Sequence, residues 1–286
     1  PVPLRAFHYW GSALLIVHCA AHVAAHLWTG RTGGEWRVRF LASVALFACA
    51  FGFQITGNLL PWDKHGVQSA AIEGTIAARI PAVGGAIRTA MLNGDVPSGG
   101  TIMLWWAIHR FLLPALLVVT VALLISERRK RRASGWPAVG ILAFLTTLAV
   151  AIPAPLASRA VPEDAMRYDA LSSWYTWAAH GSLVLWDRFG GLGWFGASGM
   201  LVLLALGTLA ASVLPPKFGR VWLGVAAGYL AVCALGFGGR FAPLVGRSAP
   251  PTAPKIATPA TTEAVAPKDL VLAARGAKVY EAQGCG

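Results

Sequence analysis

Three histidines in two apolar stretches are the residues of this sequence best suited to hold a redox cofactor. His8 and His22 lie fourteen residues apart in one stretch, and His109 opens another. Fourteen residues are close to four helical turns, or about 21 Å of rise. The two imidazoles therefore lie on nearly the same helix face at two depths of a membrane. A second helix with matching imidazoles would trap haem between the helices.

His8 and His109 form the more complete of the two predicted sites. Each opens its apolar run, so both lie at the same end of a bundle whose spans alternate in direction. We expect the two imidazoles to bind one haem iron from opposite sides. The alternative is a hydrogen bond between helices, which is the commoner role of a lone membrane histidine.

A second, inner haem at His22 lacks a partner in this chain. The positions thirteen to fifteen residues after His109 are Ala122, Leu123 and Leu124, and none of these side chains ligates iron. An inner haem would then be five-coordinate or take a ligand from another chain. Alternatively, His22 and its neighbours His18 and His26 would serve a quinone or a proton path.

Composition predicts the elements that position these histidines. The 286 residues are 56% hydrophobic and 13% charged, whereas a soluble domain is about 25% charged. Apolar runs of about twenty residues suffice to cross a bilayer. We predict an all-α, polytopic transmembrane bundle with interfacial loop helices. Its six spans lie at about 9–29, 38–60, 102–126, 137–156, 192–214 and 220–239.

The net charge of +12 is explained by the loops beside these spans. Basic residues cluster at 31–39, 128–132 and 217–220, and alternation puts all three loops on one side. The positive-inside rule makes that side cytoplasmic. The chain is then an integral protein of a cytoplasmic membrane, in contact with lipid, with Pro1 and Gly286 outside the cytoplasm. A nucleic-acid partner is not needed to explain the charge.

The chain divides into four parts. Residues 1–132 form a haem-binding bundle with a long connection at 61–101, whose middle, 68–92, is predicted to be an interfacial amphipathic helix. Residues 133–242 form a second group of three spans. Residues 243–268 are a linker rich in Pro, Ala and Thr, and residues 269–286 begin a further domain.

Several motifs resemble cytochrome b, the membrane subunit of quinol–cytochrome c oxidoreductases and their photosynthetic counterpart. Arg5 precedes His8 by three residues, and Gly11 follows it by three. The matching segments are Gly57-Asn58-Leu59-Leu60-Pro61-Trp62-Asp63, Ile80-Pro81-Ala82-Val83-Gly84, and His109 with Pro114 five residues on. The resemblance is strong over residues 1–132 and loose over 133–242.

This resemblance implies functions for the matching residues. His8 and His109 would bind an outer b haem, Arg5 would meet a haem propionate, and Gly11 would leave room beside the ring. His22 would be a ligand of the inner haem iron. The external loop and an aromatic loop would wall a quinol oxidation site. The family also implies dimers and a further helix upstream of Pro1.

The sequence departs from the family at three places. Leu123 or Leu124 stands where the second inner histidine belongs, and Leu104 replaces an arginine five residues before His109. The quinol motif Pro-Glu-Trp-Tyr is Ser172-Ser173-Trp174-Tyr175 here. Ser173 cannot act as a general base at neutral pH. His180, Asp63 or His65 would substitute, although an interfacial histidine more often serves as a hydrogen-bonding anchor.

The last residues resemble the first helix of a cytochrome c domain. Gly276 to Cys285 would run into a Cys-x-x-Cys-His haem attachment motif, of which Cys285 is the first cysteine. The resemblance implies a covalently attached haem c outside the cytoplasm. The alternative is a tail with one thiol.

Together these features predict a redox subunit. It would pass electrons between a quinol pool and a c-type cytochrome through b haem, alongside iron–sulfur or other redox subunits. One alternative is a degenerate b-type scaffold with little electron transfer. Another is a quinone-linked membrane anchor for an extracytoplasmic oxidoreductase.

Overall fold

The computed structural model describes residues 2–128, 136–155, 157–161, 164 and 174–237, and within these ranges it contains helices and no strand. This confirms the predicted all-α fold. The ten α-helices of this part of the chain are α1 (Val2–Thr29), α2 (Arg37–Leu59), α3 (Lys64–Ala78), α4 (Gly84–Leu92), α5 (Gly99–Ala107), α6 (Leu113–Arg128), α7 (Trp136–Ala151), α8 (Trp177–Asp187), α9 (Met200–Ala210) and α10 (Pro216–Phe237).

Four helical stretches are long and apolar enough to cross a membrane. They are Leu4–Thr29, Gly34–Leu59, Gly99–Ile125 and Pro216–Phe237. The fourth and fifth predicted spans correspond to the shorter apolar helices Gly140–Ala151 and Phe195–Ala210. Large apolar side chains such as Val118, Val221 and Val225 stay exposed on these helices, as expected where lipid replaces water.

The bundle has two ends, which we call the His8 end and the Arg37 end. At the His8 end, Trp10 Nε1 donates a 2.8 Å hydrogen bond to the carbonyl of Ile152, just after α7. At the Arg37 end, Arg37 Nε donates to the carbonyl of Ser212 over 3.2 Å. Helices α1 and α6 both pack against α2. Thr56 near the end of α2 contacts His109, and His109 contacts His8 near the start of α1. The starts of α1 and of the α5–α6 stretch therefore lie at one end, together with the end of α2.

The connection between α2 and α5 contains two short helices, so the prediction of one helix over 68–92 was wrong. Helix α3 ends at Ala78 and α4 begins at Gly84. Pro81 lacks the N–H needed to continue a helix and disfavours helical backbone at Ile80. Ala82 then adopts a positive φ of 66°, which reverses the chain. The α3–α4 pair lies at the His8 end.

Helix α8 contacts both α10 in the second half of the chain and α3 in the first half. Ser182 and Trp186 both bond to the Tyr229 hydroxyl of α10. On the other side, Leu183 and Val184 pack against Ile76 of α3, and Arg79 forms an ion pair with Asp187. The aromatic segment before α8 is thus held beside the α3–α4 connection.

Some predicted features lie outside the described residues. They are Ser173, Cys285, the basic run after Arg128, and the segments 243–268 and 269–286.

Candidate functional site

His109 lies in a widened turn between α5 and α6. Residues Ile108–Leu112 are π-helical, with both flanks α-helical. Pro114 explains this position, because it has no N–H for the carbonyl of Arg110 and its ring would clash there in a regular helix. Such π turns occur often at functional sites. This turn sets the direction in which the His109 ring leaves the helix.

The rings of His8 and His109 lie edge to face at the His8 end of the bundle. Their centroids are 6.2 Å apart and their planes are inclined by 75°. A bond from imidazole nitrogen to a transition metal is about 2 Å, so two rings that share one metal axially have centroids about 6 Å apart. The structure therefore brings this predicted pair together at a spacing that fits a haem iron.

Thr56 of α2 determines which nitrogen of His109 is available to a metal. Its Oγ1 donates to the carbonyl of Gly52 over 2.8 Å and lies 2.8 Å from Nδ1 of His109. Because the hydroxyl proton is already committed, the hydroxyl oxygen accepts from Nδ1–H. The lone pair of His109 is then on Nε2, the usual arrangement for a metal-binding histidine with an outer hydrogen bond.

Two glycines keep space around this pair. A Cβ at Gly57 would lie 3.0 Å from Cε1 of His109, so a side chain there would press on the imidazole. A Cβ at Gly11, one turn after His8, would have no neighbour within 4 Å. That open space beside the helix carrying His8 would accommodate the edge of a flat ring.

Arg5 lies one turn before His8 and is partly buried. Its Nη2 donates to the carbonyls of Ala154 and Pro155, at 2.6 and 3.1 Å. A guanidinium has five N–H donors, so these two bonds leave others for an anionic group. The expected contact with a haem propionate stays a prediction.

His22 lies toward the other end of α1 in a similar polar environment. Its Nδ1 is 3.0 Å from Oγ of Ser43, and that hydroxyl donates to the carbonyl of Arg39 over 2.7 Å. The His22 ring contacts those of His18 and His26, with centroids 6.4 and 5.1 Å away. Ser43 therefore accepts from Nδ1–H of His22, as Thr56 does from His109.

The aromatic segment reaches α2 and α10. Tyr175 lies in the turn Trp174–Thr176, with its ring centroid 6.1 Å from that of Phe51, and Trp174 contacts Tyr175 edge to face. His180 donates from Nδ1 to the carbonyl of Thr176 over 3.0 Å. Burial lowers the pKa of His180, and the bond to Thr176 opposes this shift. The bond to Thr176 makes His180 a hydrogen-bonding anchor at the start of α8.

Asp63 and His65 lie at the start of α3. Asp63 is buried and accepts from Gly66 N on one carboxylate oxygen and from Ala157 N on the other, both at 2.9 Å. These bonds cap α3 and attach it to the segment after α7. His65 is partly exposed in the first turn of the helix.

Sequence reasoning missed the two hydroxyls that orient the histidines. Ser43 and Thr56 are thirteen residues apart on α2, nearly the spacing of His8 and His22 on α1. That repeat is a usable signal, although only packing shows which histidine each hydroxyl meets.

Comparison with known proteins places the first half of the chain in context. The family described as cytochrome b (N-terminal)/b6/petB matches residues 13–153. The cytochrome b subunit of the menaquinol:cytochrome c reductase of Geobacillus thermodenitrificans is 31% identical over 134 residues, which are 46% of this chain and 59% of that protein.

Other relatives match the same part of the chain. Cytochrome b6 of Cyanothece sp. is 29% identical over 132 residues, covering 46% of this chain and 60% of that protein. The cytochrome b subunit of the Bacillus subtilis menaquinol:cytochrome c reductase is 29% identical over 133 residues, 46% of this chain and 59% of that one. The chain thus spans about three fifths of the length of these curated relatives.

Proposed function

We propose that this chain belongs, through residues 13–153, to the cytochrome b family and that it moves electrons between a membrane quinol and a c-type cytochrome. It would do so within a complex that includes iron–sulfur or other redox subunits. Relatives named as subunits of menaquinol:cytochrome c reductases support this assignment. The apolar helices support an integral membrane location.

One observation carries the proposal. His8 and His109, from two different spans, lie edge to face with their ring centroids 6.2 Å apart. This spacing fits two axial ligands of one iron, and a bond from Nδ1–H of His109 to Thr56 would leave Nε2 for the metal. A purely structural pair would need neither the matched spacing nor the oriented ring.

Each group of residues at the site would have its own role. His8 and His109 would hold b haem, which supplies one-electron transfer when bound. Arg5 would compensate a propionate charge at the His8 end. The α3–α4 pair and the aromatic turn at Trp174 and Tyr175 would wall the quinol site, where apolar side chains exclude water.

Two further parts of the proposal rest on sequence. The segment ending at Cys285 would continue into a c-type haem domain on the extracytoplasmic side, where such haems are attached. The basic loops make the Arg37 end cytoplasmic. A dimer is proposed from the family resemblance.

Haem stoichiometry in the purified complex tests the assignment. We expect His109→Ala to lose one b haem per chain in a pyridine haemochrome assay, whereas the control His65→Ala keeps the wild-type count. Reduction of b haem in the wild-type complex by a soluble naphthoquinol, followed optically, tests the electron path. An unchanged count in His109→Ala would overturn the site. A wild-type protein without b haem would leave the scaffold alternative.

A further inference from the structure

A partly buried carboxylate that is lined by apolar side chains lies in the α3–α4 connection. Glu73 of α3 is the one acidic residue between Asp63 and Asp95 in the sequence. It lines a small cavity together with Ile55, Leu59, Ala70, Met91, Leu92 and Trp105. No hydrogen bond or ion pair reaches its carboxylate from any residue in the described ranges. Such a group is expensive to keep in an apolar setting and needs a reason.

The cavity around Glu73 has fixed walls. Leu59, Ala70 and Leu92 pack together as a buried cluster with Trp105. Trp105 Nε1 donates to the carbonyl of Met91 over 2.9 Å, and the Thr101 hydroxyl donates to the carbonyl of Leu92. Helices α2, α4 and α5 are thereby held around α3, so the position of the Glu73 side chain is determined by the fold.

The cavity adjoins the histidine pair through two shared elements. On α2, the wall residue Ile55 is next to Thr56, which bonds to His109. On the other side, Trp105 precedes His109 by four residues, or about 6 Å along a helix. Glu73 therefore lies near the turn of the bundle that positions the proposed haem iron.

We propose that Glu73 is the proton acceptor of the quinol site, in the role that Ser173 cannot fill. This inference rests on the proposed quinol oxidation and adds a residue to it. The space beside Glu73 is water-sized, so the quinol ring would lie at its mouth. The carboxylate would reach the hydroxyl directly or through one water.

Oxidation of a quinol to the quinone breaks two O–H bonds and releases two protons and two electrons. One proton goes to a carboxylate oxygen of Glu73, and the other goes to water at the His8 end. The two electrons would go to two one-electron acceptors, the b haem that His8 and His109 would hold and a redox centre of a partner subunit.

The electrostatic environment suits this role. Burial raises the pKa of Glu73 to about 7, near the pH at which a general base is most effective. The helices around Glu73 carry few other ionisable groups that need to be considered. On α4, Arg88 donates from Nη2 to the carbonyl of Asp95. His109 bonds to Thr56. Cys49, Arg37 and Arg39 lie farther along α2, toward the Arg37 end.

Glu73→Gln in the intact complex tests the inference, with Asp95→Asn as a control for an exposed carboxylate of the same connection. Haem b reduction by a soluble naphthoquinol is followed by stopped flow. We expect Glu73→Gln to slow it about 100-fold, within the range for general base catalysis, with the haem count unchanged. Glu73→Asp should recover part of the rate, and Asp95→Asn should match wild type.

The pH profile and infrared difference spectra give readouts that a structural role would not move. The base must be ionised to accept a proton, so the wild-type rate should rise about tenfold from pH 6 to pH 8. Glu73→Gln should lose this rise, together with the carboxylic C=O band that appears on naphthoquinol addition. A wild-type rate and profile in Glu73→Gln would overturn the inference. No reduction of wild-type haem would overturn the proposed function itself.

Discussion

Ser43 Oγ lies 3.0 Å from Nδ1 of His22, which repeats, farther along α2, the contact of Thr56 with His109. Each hydroxyl donates its proton to the carbonyl four residues back and accepts from the imidazole. A single helix thus orients one histidine from each of two neighbouring spans. On the proposed function, the repeat would direct Nε2 of His22 to a metal, as we propose for His109.

This contact leads to a prediction about a second haem. We expect two b haems per chain, with the inner one ligated by His22 and lacking a second protein ligand from the α6 positions Leu123 and Leu124. Its ferric form should be high-spin in electron paramagnetic resonance. His22→Ala should remove this signal and one haem, and leave the His8–His109 haem low-spin. A single haem count that His22→Ala does not change would contradict the prediction.

Thr56→Val should change the properties of the outer haem without removing it. The substitution keeps the shape of the side chain and deletes the acceptor for Nδ1–H of His109. Outer hydrogen bonds make a ligating imidazole more basic, and their loss weakens binding by about 10- to 100-fold. A less basic ligand stabilises ferric iron less, so the midpoint potential should rise.

A redox titration of the purified protein measures this potential. Thr56→Ser retains the hydroxyl and should keep the wild-type value. Equal potentials in Thr56→Val and Thr56→Ser would show that the hydroxyl does not act on the haem.

Acidification should weaken the packing of α8 through His180. Burial lowers the pKa of His180 in the folded protein, so the unfolded chain binds the proton more tightly. The contribution of neutral His180 to the free energy of unfolding is therefore fully present above the unfolded pKa of about 6.5. This contribution is lost as the pH falls through the lower pKa of the folded protein. Thermal unfolding between pH 5 and pH 7.5 measures the effect.

His180→Asn keeps an N–H donor for the Thr176 carbonyl and removes the titration. Its melting temperature should fall less than that of wild type on acidification. Equal acid sensitivity of the two proteins would assign the pH dependence to other groups.

Gly181 should tolerate no larger residue at the crossing of α8 and α10. A Cβ there would lie 2.0 Å from the carbonyl oxygen of Cys233, so the helices would have to separate. We expect Gly181→Ala to cost about 1–3 kcal/mol or more, seen as a lower melting temperature. Gly224→Ala in α10 is the matched control, because its Cβ meets nothing within 4 Å. It should melt at the wild-type temperature or above.

The main elements of the fold were predictable because they depend on local patterns. A run of about twenty apolar residues can enter lipid only if its backbone N–H and C=O groups are hydrogen-bonded to each other, as they are in a helix. The lengths of such runs and the basic loops therefore gave the long spans and their alternation. The spacing of His8 and His22, and the start of a span at His109, similarly depend on helical geometry alone. Pro81 was a local signal for the break between α3 and α4, and it was overlooked.

The sequence by itself determined the helices, their order and the histidines that could meet. Tertiary structure alone decided the polar contacts that turn these histidines into candidate ligands. Whether Thr56 meets His109, and whether Glu73 faces apolar side chains, depends on which faces of separate helices pack together. Residues far apart in the sequence, such as Glu73, Met91 and Trp105, share a cavity only once α2 to α5 have closed around it. Helical periodicity is a property of one segment, whereas the environment of a side chain is a property of all the segments around it.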